Sequence, residues 1–444
     1  MNRPVHWVMA VLALVAGLTE RGRGQEVLQL HEAWELLLQQ NRTLQQQQAL
    51  VKKAEKEVVY LSREILPKVR IGAAYRYTSE IAEMDLPRLF PSQPALSIRA
   101  GVHDVYDMNV EVQQLLFTGG RLKNQKKVAA ALRGSAVWQY RALQQKLLLQ
   151  TGKLYHGIQL LSLQRDVLER AIQRAEIHLQ KARSLLAARQ IMAFDTLRVA
   201  NQKLQLQKQL QVLDGLIRIQ KERFARLLGM DRAPEIAPYA QKGAFPQLAE
   251  IASYQKEALK NRPDLYAVEH RVRAGLAKTR VARSAYFPQV AGVFAYHYAR
   301  PGVNFFVDEW MTYYTVGISL RWELWNWQQT RTRVQQTKLE TRAAEIAHED
   351  LRRQILAEVR EAYIQVQNRQ AELEYQQRIV AQEKERYRIT RTQFEQGMAT
   401  SLDLSLAEQD VASAELQLQR LRIELENAWL QLKYATGTIG KKEE

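Results

Sequence analysis

No cysteine occurs among the 444 residues, which excludes a disulfide framework, a thiolate metal site and a lipidated N-terminal cysteine. Long hydrophobic runs are missing too. The longest apolar stretch, "WVMAVLALVAGL" at 7–18, has twelve residues, too few to cross a bilayer as a helix. With Arg3 before it and the small residues of "RGRG" (21–24) after it, it reads as a secretory signal peptide over 1–24 rather than an anchor. Acidic residues are in deficit, 47 against 64 Lys and Arg, for a formal charge of +17. Losing Arg3, Arg21, Arg23 and Glu20 with the leader still leaves +15. Such a surplus fits nucleic acid, an acidic membrane surface or anionic cargo, and export removes nucleic acid as the main partner. Catalytic clusters are absent as well. "HED" (348–350) lacks the spacing of a zinc protease, and the eight histidines, His103, His156 and His178 among them, are scattered. "NRT" (41–43) fits a glycosylation sequon but sits in a helix-forming stretch and carries no weight. Neither an enzyme, a cofactor nor a metal site is expected.

What is present is written twice. Pro67 and Pro288 lie 221 residues apart, and at that offset Leu44 meets Leu265, Val69 meets Val290, Tyr75 meets Tyr296 and Tyr77 meets Tyr298. Further on the offset is 208: "VQQLLFTGGRLK" (112–123) lies over "LRWELWNWQQTR" (320–331), and Asp195 over Asp403. The thirteen extra residues of the first copy follow its second tyrosine, where a loop tip tolerates added length. The expected organisation is a first repeat at 25–229, a Pro-rich linker at 230–247, a second repeat at 248–440 and a charged tail at 441–444.

Each repeat predicts helix, strand, loop, strand, long helix, helix. Residues 29–66 and 248–287 are helix-forming, and Pro67 and Pro288 release the chain into extended structure. Second strands are expected at about 107–117 and 314–325, with Thr118 and Asn326 as N-caps of helices running to about 190 and 397. Such helices, some 70 residues long, would extend roughly 105 Å. The last helices, about 194–229 and 402–436, carry a seam: Leu206, Leu210, Leu213, Ile217 and Phe224 over Ala414, Leu418, Leu421, Leu425 and Leu432, as in a coiled coil.

Along the strands Val69, Ile71, Ala73, Tyr75 and Tyr77 share one face and Arg70, Gly72, Ala74 and Arg76 the other, while Tyr314, Val316, Ile318, Leu320 and Trp322 oppose Thr315, Gly317, Ser319 and Arg321. Alternation with an aromatic fringe (Trp310, Tyr313, Trp322, Trp325, Trp327) fits a transmembrane β-barrel, the alternative being a water-soluble sheet over the helices. Sheet edges cannot face hydrocarbon and four strands are too few to close, so copies must pool their strands.

"NRTL" (41–44) with "RPDL" (262–265), "LP" (66–67) with "FP" (287–288), "LFTGGR" (116–121) and "FEQGMATSLDL" (394–404) resemble, in order and repetition, the TolC family of outer-membrane efflux proteins over nearly the whole mature chain. The resemblance implies a mainly α fold with a small β part. A long coiled-coil helical barrel would continue into a trimeric twelve-stranded transmembrane β-barrel, four strands per chain, in the outer membrane of a Gram-negative-type bacterium, with a large periplasmic part. It also implies a periplasmic adaptor protein and an inner-membrane transporter of RND or ABC type docking at helical tips near 186–196 and 394–404, with Arg189, Gly397 and Met398 as docking candidates. A periplasmic gate would involve Asp195, Phe394 and Asp403. Here the motif departs from the family: Phe394 lacks a phenolic hydroxyl, Ala399 stands where an Arg pairs with the first acid, Leu406 replaces a second acid, and the first tip lacks the glycine kept at Gly397. Helix capping is the alternative role for Asp195 and Asp403.

Function follows as a passive exit duct for a tripartite efflux pump. The alternatives are the exit duct of a type I protein-secretion system and, from another class, a non-conducting trimeric coiled-coil protein. Arg70, Arg76, Lys123, Arg321 and Arg331 are candidate luminal cations favouring anions; contact with lipopolysaccharide phosphates or an outward-facing helix surface is the alternative.

Overall fold

A computed structural model describes residues 27–86, 96–240 and 246–441. The expected signal segment (1–24), the middle of the linker and the last tail residues lie outside that range. Two compact units are distinguished: a sheet unit of residues 47–141 and 263–353, and a helix unit of residues up to 46, 142–262 and from 354 onward.

Helices lead into the strands by a broken rather than a continuous path. The segment expected as one helix over 29–66 is α1 (Leu30–Gln40) and α2 (Arg42–Arg63); that over 248–287 is α5 (Ile251–Asn261) and α6 (Pro263–Arg283) followed by one 3₁₀ turn. Asn41 breaks the first: its Oδ1 accepts the Leu44 N–H at 2.9 Å and its Nδ2 donates to the Leu227 carbonyl at 2.7 Å. In the second copy Pro263 supplies the break, because it starts a helix well and drives the residue before it out of helical conformation. That residue, Arg262, is extended and buried, its guanidinium 2.7 Å from Glu358.

The sheet unit holds β1 (Lys68–Tyr77), β4 (Asp104–Phe117), β5 (Gln289–Arg300) and β6 (Met311–Arg321) in the order β1-β4-β5-β6, all antiparallel. Both later strands start three residues before their expected limits, and β6 ends at Arg321 rather than 325. The thirteen-residue insertion is no plain loop: β2 (Ala82–Leu86) and β3 (Leu96–Ala100) form an antiparallel hairpin, with Arg99 2.7 Å from Glu83 across it. "AEMDL" and "LSIRA" alternate apolar and polar residues, which suits strands.

Helices α3 (Arg121–Ala187) and α7 (Gln329–Glu395), of 67 residues each, would each measure about 100 Å at 1.5 Å per residue. Thr118 and Asn326 are not their N-caps. Two left-handed residues intervene in each copy: Gly119 and Gly120 (φ 60° and 80°), Trp327 and Gln328 (φ 51° and 63°). The carbonyls of Thr118 and Asn326 instead accept the first helical N–H, each at 3.0 Å. At Gly119 a Cβ would lie 2.6 Å from the Ser284 carbonyl oxygen, so only glycine fits. Trp327 meets no such obstacle, being 82% exposed. Within the sheet unit α3 packs on α6 through Trp138 stacked on Tyr266 (4.6 Å) and Ser135 bonded to the Ala267 carbonyl (2.9 Å).

In the helix unit the last helices are α4 (Ala193–Leu228) and α8 (Ser401–Ala435). The α8 seam is a strict heptad: Leu404, Val411, Leu418, Leu425 and Leu432 interleave with Ala407, Ala414, Leu421, Ala428 and Ala435, all buried. Val359, Val366, Leu373 and Val380 repeat at seven-residue spacing on α7 and are buried too, as knobs-into-holes packing requires. Among the described residues no helix is long and apolar enough to cross a membrane.

Candidate functional site

The strand register brings the alternation into continuous rows. Ile71, Val110, Tyr296 and Tyr314 lie side by side across the four strands, as do Val69, Val112, Phe294 and Val316. This face is open: Ile71 is 84% exposed, Val316 72% and Ile318 75%. Rows on the opposite face are polar. Arg70, Glu111, Ala295 and Thr315 form one, Gly72, Asn109, His297 and Tyr313 another. Arg70 lies 3.5 Å from Glu111 and 3.3 Å from Gln113, and His297 Nδ1 lies 3.0 Å from Asp107. Arg76 and Arg321 fall on this polar face by parity and are exposed. Among the described residues, the outermost strands, β1 and β6, each keep one edge without a neighbour in the sheet.

Aromatic rings fringe both ends of the strands. At the loop end Tyr298 stacks on Trp310 (4.6 Å) and Tyr106 packs near both Trp310 and Tyr75. At the helix end Trp322 donates to the Tyr286 carbonyl at 3.2 Å, and Trp325 and Trp327 make an edge contact. Tyr313 does not join this fringe. Its odd-numbered position puts it on the polar face, stacked on His297 at 4.8 Å. Lys123 and Arg331, in the first turns of α3 and α7, are exposed.

The two turns of the helix unit superimpose in sequence at the 208 offset. Arg189 and Gly397 correspond, and both are left-handed (φ 60° and 76°). The reverse bonds correspond as well: Gln190 N–H to the Leu185 carbonyl at 2.9 Å, Met398 N–H to that of Gln393 at 2.8 Å. Arginine therefore holds a conformation that ordinarily favours glycine. Met192, Phe194 and Met398 are exposed at these turns, and Arg198 lies over the Phe194 ring.

Asp195 and Asp403 do cap their helices, though from the third helical position rather than as N-cap residues. Asp195 Oδ2 accepts the Met192 N–H at 3.3 Å. Asp403 makes a full capping box: its Oδ2 accepts the Thr400 N–H at 2.9 Å and hydroxyl at 2.6 Å, while its own N–H donates to Thr400 Oγ1 at 3.2 Å. The Thr400 hydroxyl, then its N–H, hold the Asp403 carboxyl below the usual carboxylate range.

Phe394 points into the unit. It is 6% exposed, its ring set edge-on to His178 at 5.4 Å. His178 Nε2 lies 3.2 Å from Ser401 Oγ and its Nδ1 3.5 Å from Glu408 Oε2, all three residues buried. Sequence reasoning passed over this cluster. Its only signal is that Ser401 and Glu408 sit seven apart, the heptad spacing of α8. Among the described residues no group of three or more His, Asp and Glu could hold a metal ion.

A duplicated chain whose strands present one apolar and one polar face matches the outer membrane efflux protein family model over residues 33–230 and 255–438. The chain belongs to that family. Solved structures agree in fold. CusC, whose structures concern transmembrane channel formation, superposes with a TM-score of 0.78 at 15% identity over 95% of each chain. VceC, an outer membrane protein of Vibrio cholerae, gives 0.75 at 17% identity over 92% of this chain and 96% of its own. A curated relative, the proteases secretion protein PrtF of Dickeya chrysanthemi, is 28% identical over 129 residues, 29% of this chain and 28% of PrtF. The family is one of outer membrane efflux proteins, and these solved structures share its fold.

Proposed function

We propose that this outer membrane efflux family protein is the passive exit duct of a tripartite efflux pump. The carrying observation is the sheet with two open edges and a largely exposed apolar face. Unpaired edges are intolerable in hydrocarbon and four strands do not close. Three copies give twelve strands, the apolar rows turned to lipid and the polar rows to a water-filled lumen. Arg70, Arg76, Lys123, Arg321 and Arg331 are its luminal cations. Arg189, Gly397 and Met398, at exposed turns, receive a periplasmic adaptor, which couples the duct to an inner-membrane transporter. Asp195 and Asp403 narrow the periplasmic entrance while capping their helices, with Phe394 packed behind them rather than across the opening. The two repeats, 25–229 and 248–440, supply equal shares of this wall.

Native mass spectrometry of the solubilised protein tests the assembly: a trimer is expected, and a stable monomer overturns the reading. A second reading, the exit duct of a protein-secretion system, is favoured by the likeness to PrtF and differs in partners. Co-purification with an ABC-type rather than an RND-type transporter after mild crosslinking would select it.

A further inference from the structure

The duplicated helices that follow the strands differ in charge. Over 121–141, α3 carries Arg121, Lys123, Lys126, Lys127, Arg133 and Arg141 and no acidic residue; the aligned 329–349 of α7 has four basic and three acidic residues. At 100° per residue, Lys123, Lys126, Lys127, Arg133 and Arg141 fall within an arc of about 120°. All five are exposed. Ser135 and Trp138, beside the arc, pack on α6, and Gly134, inside the arc between Lys123 and Lys127, closes against His270 of α6, where a Cβ would lie 2.4 Å from the ring. Opposite the stripe stand Gln125, Leu132 and Gln139, without charge. Among the described residues only Arg133 has a carboxylate partner, Glu55 at 3.2 Å, and Arg141 lies over the Trp138 ring at 4.4 Å.

Four cations left without counter-ions on one face of a helix repel one another, a cost that a passing or bound anion relieves. Two anion sources are available, lipid headgroups and cargo, and length separates them. The stripe rises about 27 Å from Lys123 to Arg141, whereas the headgroup layer on each side of a bilayer is only about 5–7 Å deep. Only the first turn of α3 could reach lipid phosphates.

We infer that this stripe lines the upper duct and that the cargo is anionic, bearing phosphate or carboxylate groups. The inference rests on the duct reading above. In a trimer each residue recurs three times, so the stripe becomes successive cationic rings continuing those of Arg70 and Arg321. Rings of one sign select the opposite ion.

The test uses the full-length protein in planar bilayers under a KCl gradient. The wild type should prefer chloride, and K123Q/K126Q/K127Q should lower the chloride-to-potassium permeability ratio by about twofold or more. The natural absence of cysteine permits a second arm: in Arg141→Cys, an anionic thiol reagent should reduce the ratio further and lower conductance. A ratio unmoved by both changes overturns the inference while leaving the duct intact. So does a triple variant that keeps its selectivity but loses binding to phosphatidylglycerol vesicles, which would assign the stripe to lipid. A wild-type protein that never conducts defeats the duct reading and this inference with it.

Discussion

Helices α4 and α8 descend from the same repeat yet live in different surroundings. α8 buries seventeen residues along its whole length, and α4 only five, three of them in its final turns. Leu206, Leu210 and Ile217 occupy the seam positions that Ala414, Leu418 and Leu425 fill, but they are only half-buried. Beside them Leu204, Val212, Leu216 and Ile219 are exposed. Duplication preserved the pattern and not the environment: α8 finds its partners within the chain, while α4 keeps an apolar stripe that one chain leaves uncovered. In the proposed trimer, this stripe is the surface on which a second copy would sit.

Breaking the buried seam should have the largest effect. Leu425→Ala, at a site 1% exposed, should destabilise by about 2–5 kcal/mol through lost transfer energy and the cavity left behind. Leu216→Ala, on the exposed stripe beside Ile217, the counterpart of Leu425, should cost well under 1 kcal/mol in a dissociated chain, about what surface changes cost. Urea unfolding of both variants checks the ratio, and equal losses would erase the distinction. Charge on the open stripe asks the complementary question. Val212→Asp with Leu216→Asp should leave helical circular dichroism intact but shift native mass spectra from trimer to monomer.

The two turns sharpen the comparison on a smaller scale. Arg189→Gly should stabilise the first turn by about 1 kcal/mol by relieving left-handed strain, and Gly397→Ala should weaken the second by a similar amount. Local hydrogen exchange would read both. The smallest effect concerns acidity. Because the Asp403 carboxyl titrates below its ordinary value in the folded chain, its contribution is complete above the ordinary carboxylate value and is lost as pH falls through the lowered one. Exchange at the second turn should quicken in acid, and Asp403→Asn should flatten that dependence.

Much of the fold was legible because it is written twice: Pro67 with Pro288 and the alternation of four strands needed no structure. Legibility ended where neighbours decide. Asn41 breaks a helix because the Leu227 carbonyl lies within reach of its amide, a contact 186 residues away in sequence. The insertion became a hairpin although a loop reading suited its position equally well. At the candidate site, Asp195 and Asp403 take part in capping, but from three residues beyond the N-caps Met192 and Thr400, since the cap is set by where the turn closes. Phe394 was expected at an opening and lies buried on His178, because which side of a helix faces inward depends on α3, which sequence spacing does not reveal. Arg189 looked like a lost glycine, yet the turn keeps its shape.

The open edges of β1 and β6 also have a genetic consequence. In the proposed trimer, a wall built by lending strands to neighbours cannot tolerate a faulty lender. A chain with proline at Val316 in the middle of β6 would fold its helices, join normal chains and leave a gap at the seam it shares with the next copy. Expressed beside the intact allele, it should behave as a dominant poison, sparing only assemblies drawn entirely from intact chains, whereas deleting one allele outright would merely halve the number of ducts.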